Sequence, residues 1–213
     1  MNKDAVPHTR ALPAIQHDDR LDRILLSRRS TKQFTDRPLS LADIAHALWT
    51  VAGTTMGGRR VGASARATYP VAATLIAGDI DGLAMGAYLY DPAEHTLAIT
   101  RSGDQRQAVA DASLDAGSWL PACSAAILLS ADVAAARERF PDQPADHGER
   151  FVWIEVGLAA QNAYLWAAER GVGTVLLAGL DDERAVESCH GLIPDRHELL
   201  GILPLGEPVQ SAP

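Results

Sequence analysis

Apolar side chains recur at helical spacing through Phe151, Ile154, Leu158, Leu165 and Trp166, and Gly171 follows where a helix commonly stops. This spacing predicts one long helix over about 148–170 with Gly171 at the C′ position. An element of that length has to be packed against a sheet or other helices, and the flanking sequence supplies strands. Val71 to Ala77 is apolar, Ala87-Tyr88-Leu89-Tyr90 ends at Asp91-Pro92, and Thr96 to Thr100 alternates. Ala125 to Ser130, Val172 to Ala178 and Leu199 to Leu205 also read as strands, with turns at Gly78 to Gly86 and Pro92 to His95. Shorter helices are expected over about 18–27, over 41–52, over 103–115 with Ser102 as a cap, and over 181–189. Ser40 with Asp43 three residues on has the form of a capping box with aspartate in place of glutamate. The sum is an α+β fold, a central mostly antiparallel sheet flanked by helices. Residues 1–16, broken by Pro7 and Pro13, read as a flexible N-terminal arm, and 17–213 as a single domain.

Charge narrows the function. The 213 residues carry a formal net charge of -8 and a pI near 5.3, which argues against a nucleic-acid partner. Two cysteines, Cys123 and Cys189, give neither a disulfide framework nor metal-ligand spacing, so no metal is expected. No stretch reaches the roughly 20 apolar residues of a membrane span, and the N-terminus lacks the apolar core of a secretory signal. A cytoplasmic protein with no membrane partner is the expectation.

Against this acidic background, Arg28-Arg29-Ser30-Thr31-Lys32 places three cations and two hydroxyls within five residues. Arginine offers a planar fork matched to phosphate oxygens, lysine a point charge and serine a short donor, so the cluster can hold a compact dianion. The competing reading is a solvated helix end, where cations favour the last turn. Ala63-Ser64-Ala65-Arg66-Ala67-Thr68-Tyr69-Pro70 follows a glycine-rich loop, residues 53–62, that carries Arg59-Arg60; its small residues allow backbone to approach a flat ligand. Gly171 to Leu180 ends in Leu177-Ala178-Gly179, where backbone N–H groups are unobstructed and could meet developing negative charge. His147 beside Asp146 is a candidate acid or base, or a solvated loop residue. Glu155 is either a paired buried carboxylate or a residue on the wet edge of its helix.

Taken in order, the basic segment, the capped helix, ASARATYP, the strand pair with Tyr-Leu-Tyr-Asp-Pro, Gln161-Asn162-Ala163-Tyr164-Leu165 and GVGTVLLAGL resemble the nitroreductase family of FMN-dependent oxidoreductases. Within it the resemblance is closest to the SagB-type dehydrogenases and covers about 20–208. It implies a nitroreductase-like FMN-binding domain over 17–213 and an intertwined homodimer with two FMN sites at the subunit interface. Arg28, Arg29 and Ser30 match the motif that grips the FMN phosphate and ribityl chain, and Lys32 stands where arginine is usual. Ala63, Ser64 and Ala65 match a segment that covers the flavin's dimethylbenzene side in the partner subunit. Leu177, Ala178 and Gly179 match the turn whose backbone faces flavin N5. There are departures. Asp146-His147 replaces the lysine-tyrosine pair of azoline-oxidising members, Ala63 and Arg66 replace a proline and a glycine, and Gly206-Glu207-Pro208-Val209-Gln210 lacks a basic phosphate ligand.

The activity so implied is hydride transfer through flavin N5, from NAD(P)H or an organic donor to a small conjugated acceptor such as a quinone or nitro compound. Two alternatives stand beside it. One is a SagB-type dehydrogenase that oxidises an azoline or related heterocycle in a modified peptide, with His147 as the local candidate base. The other is a flavin-binding protein without turnover.

Overall fold

Along the chain the elements are α1 (Arg20–Ser27), β1 (Leu39–Ser40), α2 (Leu41–Ala52), β2 (Ala72–Ala77), β3 (Ile80–Asp81), β4 (Gly86–Asp91) and β5 (Thr96–Ser102). Then come α3 (Arg106–Asp111), β6 (Ala125–Ala131), α4 (Val133–Glu138), α5 (His147–Arg170), β7 (Gly173–Thr174), α6 (Asp182–Ser188) and β8 (Glu198–Gly206). The structure is a computed structural model that describes residues 11–144 and 146–209. Of the expected N-terminal arm, 1–10 lie outside the described residues, and 11–16 are exposed with no helix or strand.

Six strands form one sheet in the order β5-β4-β2-β6-β8-β7, every neighbouring pair antiparallel. Its centre, β6, is buried throughout, which is why Ala-Ala-Ile-Leu-Leu-Ser-Ala is apolar without alternation. The two-residue period still sorts its side chains. Ala125, Ile127 and Leu129 join the core beneath α2 and α5, while Ala126 and Leu128 join the one beneath α3 and α6. The expected α+β architecture is therefore observed. Among the described residues no helix is long and apolar enough to cross a membrane.

Helix α5 is apolar on more than one side. Val152, Val156, Ala159, Ala160, Ala163 and Ala167 bury small side chains in the sheet-side core, while Ile154 and Leu158 remain 54% and 40% exposed. Gly171 ends it in the left-handed region at φ 68°, as its position predicted. At the start of α2, Ser40 Oγ accepts the Asp43 N–H at 3.1 Å and donates to the Asp43 carboxylate at 2.6 Å. The aspartate is too short to reach back to the Ser40 N–H, so the box closes between side chains.

Two expectations need correction, and one helix stands outside them. The helix expected over 103–115 spans only Arg106–Asp111: Ser102 ends β5, Gly103 turns the chain at φ 86°, and residues 112–114 bond instead to 179–181. The strand expected over 172–178 is reduced to Gly173–Thr174. Beyond it the chain leaves β8 and returns only at Leu177, whose N–H and C=O each bond Ile202 at 2.9 Å. Helix α4 had no counterpart in the sequence reading; Asp132 caps it by accepting the Ala135 N–H.

Candidate active site

The basic segment lies along the end of the sheet. Thr31 N–H donates to Thr174 O at 2.9 Å, Thr35 N–H to Glu207 O at 2.9 Å, and Val209 N–H to Gln33 O at 3.1 Å. Two glycines permit the close approach. A Cβ on Gly173 would stand 2.7 Å from Thr31 Cγ2, and one on Gly206 would stand 2.8 Å from Phe34 Cδ1.

This clamping displays the cations differently from one another. The Arg28 guanidinium lies over the Tyr164 ring, 5.1 Å from its centroid, and Lys32 Nζ lies over Trp119 at 5.8 Å. Neither has a carboxylate within salt-bridge distance among the described residues. Arg29 instead turns back and donates to the carbonyls of Leu26 and Arg28 at 2.7 and 2.8 Å, closing the end of α1. Glu207, noted as a departure, is neutralised locally: it accepts from Arg37 at 2.7 Å and from the Thr35 hydroxyl at 2.8 Å.

Tyr164 is the residue that sequence reasoning missed. Its hydroxyl accepts the Leu176 N–H at 2.9 Å and shares a hydrogen bond with Ser30 Oγ at 3.2 Å. One side chain therefore holds the basic segment against the segment that leads to Leu177-Ala178-Gly179. The only signal in the sequence was its place in the quoted Gln161-to-Leu165 motif, where nothing distinguishes it from a packing aromatic. In the Leu177 turn, the Leu177 amide is consumed by Ile202. Ala178 and Gly179 are exposed, and their N–H groups meet no backbone carbonyl among the described residues.

Ala63, Ser64 and Ala65 sit elsewhere. With Phe151, Ile154, Glu155 and Leu158 they line a shallow cavity on the exposed side of α5. Tyr164 lies nine positions beyond Glu155, about 13 Å further along the helix axis. Within one chain the two groups of expected site residues do not meet.

The segment after Ala65 is strained. Arg66, Ala67 and Tyr69 have φ of 51°, 54° and 48°, in the left-handed region that non-glycine residues enter at a cost of about 1–2 kcal/mol each. The surroundings hold it in place. Ser64 Oγ accepts the Tyr69 N–H at 2.9 Å, and Arg66 grips Asp142 through two bonds of 2.9 and 2.5 Å while lying over Phe140. The arginine at a position where the resembled motif has glycine thus ties this loop to the α4–α5 connection.

Behind the loop is a cavity of about 300 Å³ lined by Arg60, Tyr69, Arg139, Phe140, Phe151 and Glu155, among others. Glu155 proves to be buried; its carboxylate accepts the Val71 N–H at 3.4 Å and the Ser64 hydroxyl. Burial pushes its pKa up, and those hydrogen bonds together with Arg60 only partly oppose the rise. Burial lowers the pKa of Arg60 in turn, with Glu155 opposing. His197, on the same wall, is pushed down by burial against the pull of Asp132. His147 does not line this cavity: its Nδ1 pairs with Gln143 Oε1 at 3.0 Å and its ring packs on Phe151. Cys123 and Cys189 are free, buried thiols whose pKa values burial raises to about 12 and about 11.

The donor set fits a phosphorylated planar cofactor. An anionic tail would find the Arg28 fork, the Lys32 charge and the Ser30 hydroxyl, all without competing carboxylates. A ring edge rich in acceptors would find the two free amides at Ala178 and Gly179, held in register by Tyr164.

An α+β protein with a basic segment locked beside the end of a six-stranded sheet is the class that this geometry defines. Comparison with known proteins makes it specific. The model of the Nitroreductase family matches residues 25–207. A Methanocaldococcus jannaschii protein described as a nitroreductase is 30% identical over 200 residues, 93% of this chain and 96% of that protein. A crystal structure described as a nitroreductase from Ralstonia eutropha superposes with TM-score 0.72 at 24% identity, over 94% of this chain and 89% of the other. The Escherichia coli microcin synthetase McbBCD complex with truncated pro-MccB17 bound contains a chain of the same fold, with TM-score 0.73 at 20% identity, over 97% of this chain and 77% of that one. The chain belongs to the nitroreductase family and is an oxidoreductase.

Proposed function

We propose that this oxidoreductase is FMN-dependent, works as a homodimer, and passes reducing equivalents from NAD(P)H or an organic donor to a small conjugated acceptor. The observation that carries the reading is the convergence on Tyr164 of Arg28, Ser30 and the Leu176 amide. When bound, FMN supplies the hydride chemistry through its N5, and the protein supplies orientation and charge. Arg28, Lys32 and Ser30 hold the phosphate and the tail. Arg29 contributes by fixing the turn from which Arg28 and Ser30 project. The Ala178 and Gly179 amides hydrogen-bond the ring edge and favour added negative charge there.

The dimer is inferred from α5. Ala63, Ser64 and Ala65 cannot reach the Arg28 end of their own chain's site, and Ile154 and Leu158 beside them expose a large apolar face. A second copy laid on that face would bring its 63–65 segment over the first copy's cofactor. The same proposal keeps residues 17–213 as one FMN-binding domain and the protein in the cytoplasm.

The purified protein is expected to be yellow and to release FMN identifiable by mass, and anaerobic NADH or NADPH is expected to bleach its flavin absorbance. A colourless protein that takes up no FMN overturns the reading. Stoichiometric FMN that no donor bleaches would favour a binding protein without turnover. The dehydrogenase alternative draws support from sharing its fold with the microcin synthetase complex, in which truncated pro-MccB17 is bound. His147, its candidate base, is paired with Gln143 and sits off the cavity. Full peptide-heterocycle oxidation by a His147→Ala variant would remove that residue from any such chemistry.

A further inference from the structure

The doublet Arg59-Arg60 has no part in the reading above, yet Arg60 is half-buried in the wall of the 300 Å³ cavity behind the 64–72 loop. A guanidinium drawn out of water needs its charge met and its five N–H donors used. Arg60 donates to the Val71 carbonyl at 2.8 Å and lies over the Tyr69 ring at 5.5 Å. Among the described residues it has no carboxylate within salt-bridge distance, and neither has Arg139 on the same wall.

Among the described residues no acidic group of the cavity is salt-bridged to either arginine. Asp132 is committed to Arg196 at 3.0 Å and to the cap of α4. Glu155 accepts the Val71 N–H and makes no salt bridge to Arg60 or Arg139, although of the charges around Arg60 it is the one that most supports the charged guanidinium. The same cavity has aromatic lining: Tyr69, and the edge-to-face pair Phe140 and Phe151 with centroids 4.8 Å apart. The volume lies at the small end of ligand cavities, which suits one ring and excludes a folded peptide.

We propose that this cavity is a binding site for a single-ring aromatic carboxylate, its ring among Tyr69, Phe140 and Phe151 and its carboxylate on Arg60 and Arg139. Arginine's planar fork matches a carboxylate in two-point contact, and the aromatic walls add area that a small inorganic anion would leave unused. The inference deepens the oxidoreductase reading and rests on it for its link to turnover: the acceptor class becomes planar aromatic acids in preference to neutral aromatics. Ser64, Ala65, Phe151 and Glu155 line both this cavity and the shallow one on α5, so a ligand here adjoins the segment assigned to the flavin.

The test titrates the purified full chain with benzoate and, separately, benzamide, by calorimetry, with and without added FMN. Benzoate is expected to bind once per chain at least tenfold more tightly than benzamide. Arg60→Gln is expected to weaken benzoate tenfold or more, leaving benzamide and FMN affinity within twofold. Because Arg60 also supports Val71, circular dichroism verifies the fold of that variant. Arg139→Gln, whose guanidinium makes no hydrogen bond or salt bridge among the described residues, is expected to weaken benzoate about threefold and decides the matter alone if the Arg60 variant does not fold. Equal affinity for the two probes, no binding of either, or benzoate affinity unmoved in the folded variants overturns the proposal. Discrimination by a protein that ignores FMN would sink the flavin reading and leave the site standing; FMN binding with benzoate indifferent to both arginines does the reverse.

Discussion

The two cationic regions of this molecule hold their charges by opposite means. Around Arg28, itself half-buried, the neighbouring cations Arg29 and Lys32 are exposed, and what fixes the segment is a clamp of backbone bonds and one tyrosine hydroxyl. Around Arg60 the cation is partly withdrawn from water and fixed by a loop whose own backbone is strained. The first arrangement is inexpensive to assemble and its strength comes from what it binds. The second carries a desolvation cost at all times and is shaped before any ligand arrives. Substitutions should therefore act on ligand affinity with little effect on stability in the first region, and where they touch the packed walls of the second should act on folding as well.

The largest expected effect is in the second region. Gly148 on α5 lies so close to α4 that a Cβ would overlap the Ala136 carbonyl, and neither element can yield without moving the cavity wall. Gly148→Ala should lower the unfolding free energy by about 3 kcal/mol, measured by urea denaturation. An unchanged midpoint would mean that the two helices slide freely, and the contrast between a rigid cavity and an adaptable cradle would fail. Next comes Arg28→Ala, which should leave stability nearly intact and reduce FMN affinity by about 1.5–3 kcal/mol, roughly 10- to 150-fold, in a fluorescence titration. Loss of stability in place of affinity would mean that Arg28 builds the fold and does not hold a ligand. Tyr164→Phe keeps the ring under Arg28 but removes the hydroxyl shared by Ser30 and Leu176. FMN affinity should fall by about 1 kcal/mol, and exchange of the Leu176 amide should accelerate.

The same contrast decides what could be read in advance. The basic segment was legible because three cations in five residues stand out of an acidic chain, and the sheet was legible because its strands keep apolar runs between turn residues. The Gly171 stop followed from local backbone chemistry alone. What escaped notice depends on distant partners. Tyr164 looks like a packing residue until Ser30 and Leu176 are brought to it, from 134 and 12 positions away. The 172–178 strand has the right composition, yet its length is set by how far β8 stays beside it. The helix expected over 103–115 lost its start to β5 and the Gly103 turn, and its end because 112–114 pair with 179–181. Arg66 reads as a plain departure from a glycine motif, and only Asp142 and Phe140 explain how an arginine holds a left-handed backbone there.

The smallest effect expected is one of pH, and it separates the two walls of the cavity. Glu155 ordinarily titrates near 4.5 and is raised by burial, so the folded state binds its proton more tightly than the unfolded chain does. Below the ordinary value both states are protonated and the contribution to stability is fully present. As pH climbs from there through the raised folded value, the unfolded chain releases its proton first and stability is lost. His197 runs the other way. Burial lowers it from 6.5, so its contribution is present above that value and is lost as pH falls through the depressed folded value. Urea denaturation between about pH 4 and 8 should show Glu155→Gln gaining on the wild type as pH rises, since glutamine still offers Val71 an acceptor without acquiring charge. His197→Gln should gain on the wild type as pH falls. A stability difference independent of pH in either variant would mean that the group is hydrated in the folded protein, and the cavity would then be wet on that side and no more preorganised than the cradle around Arg28.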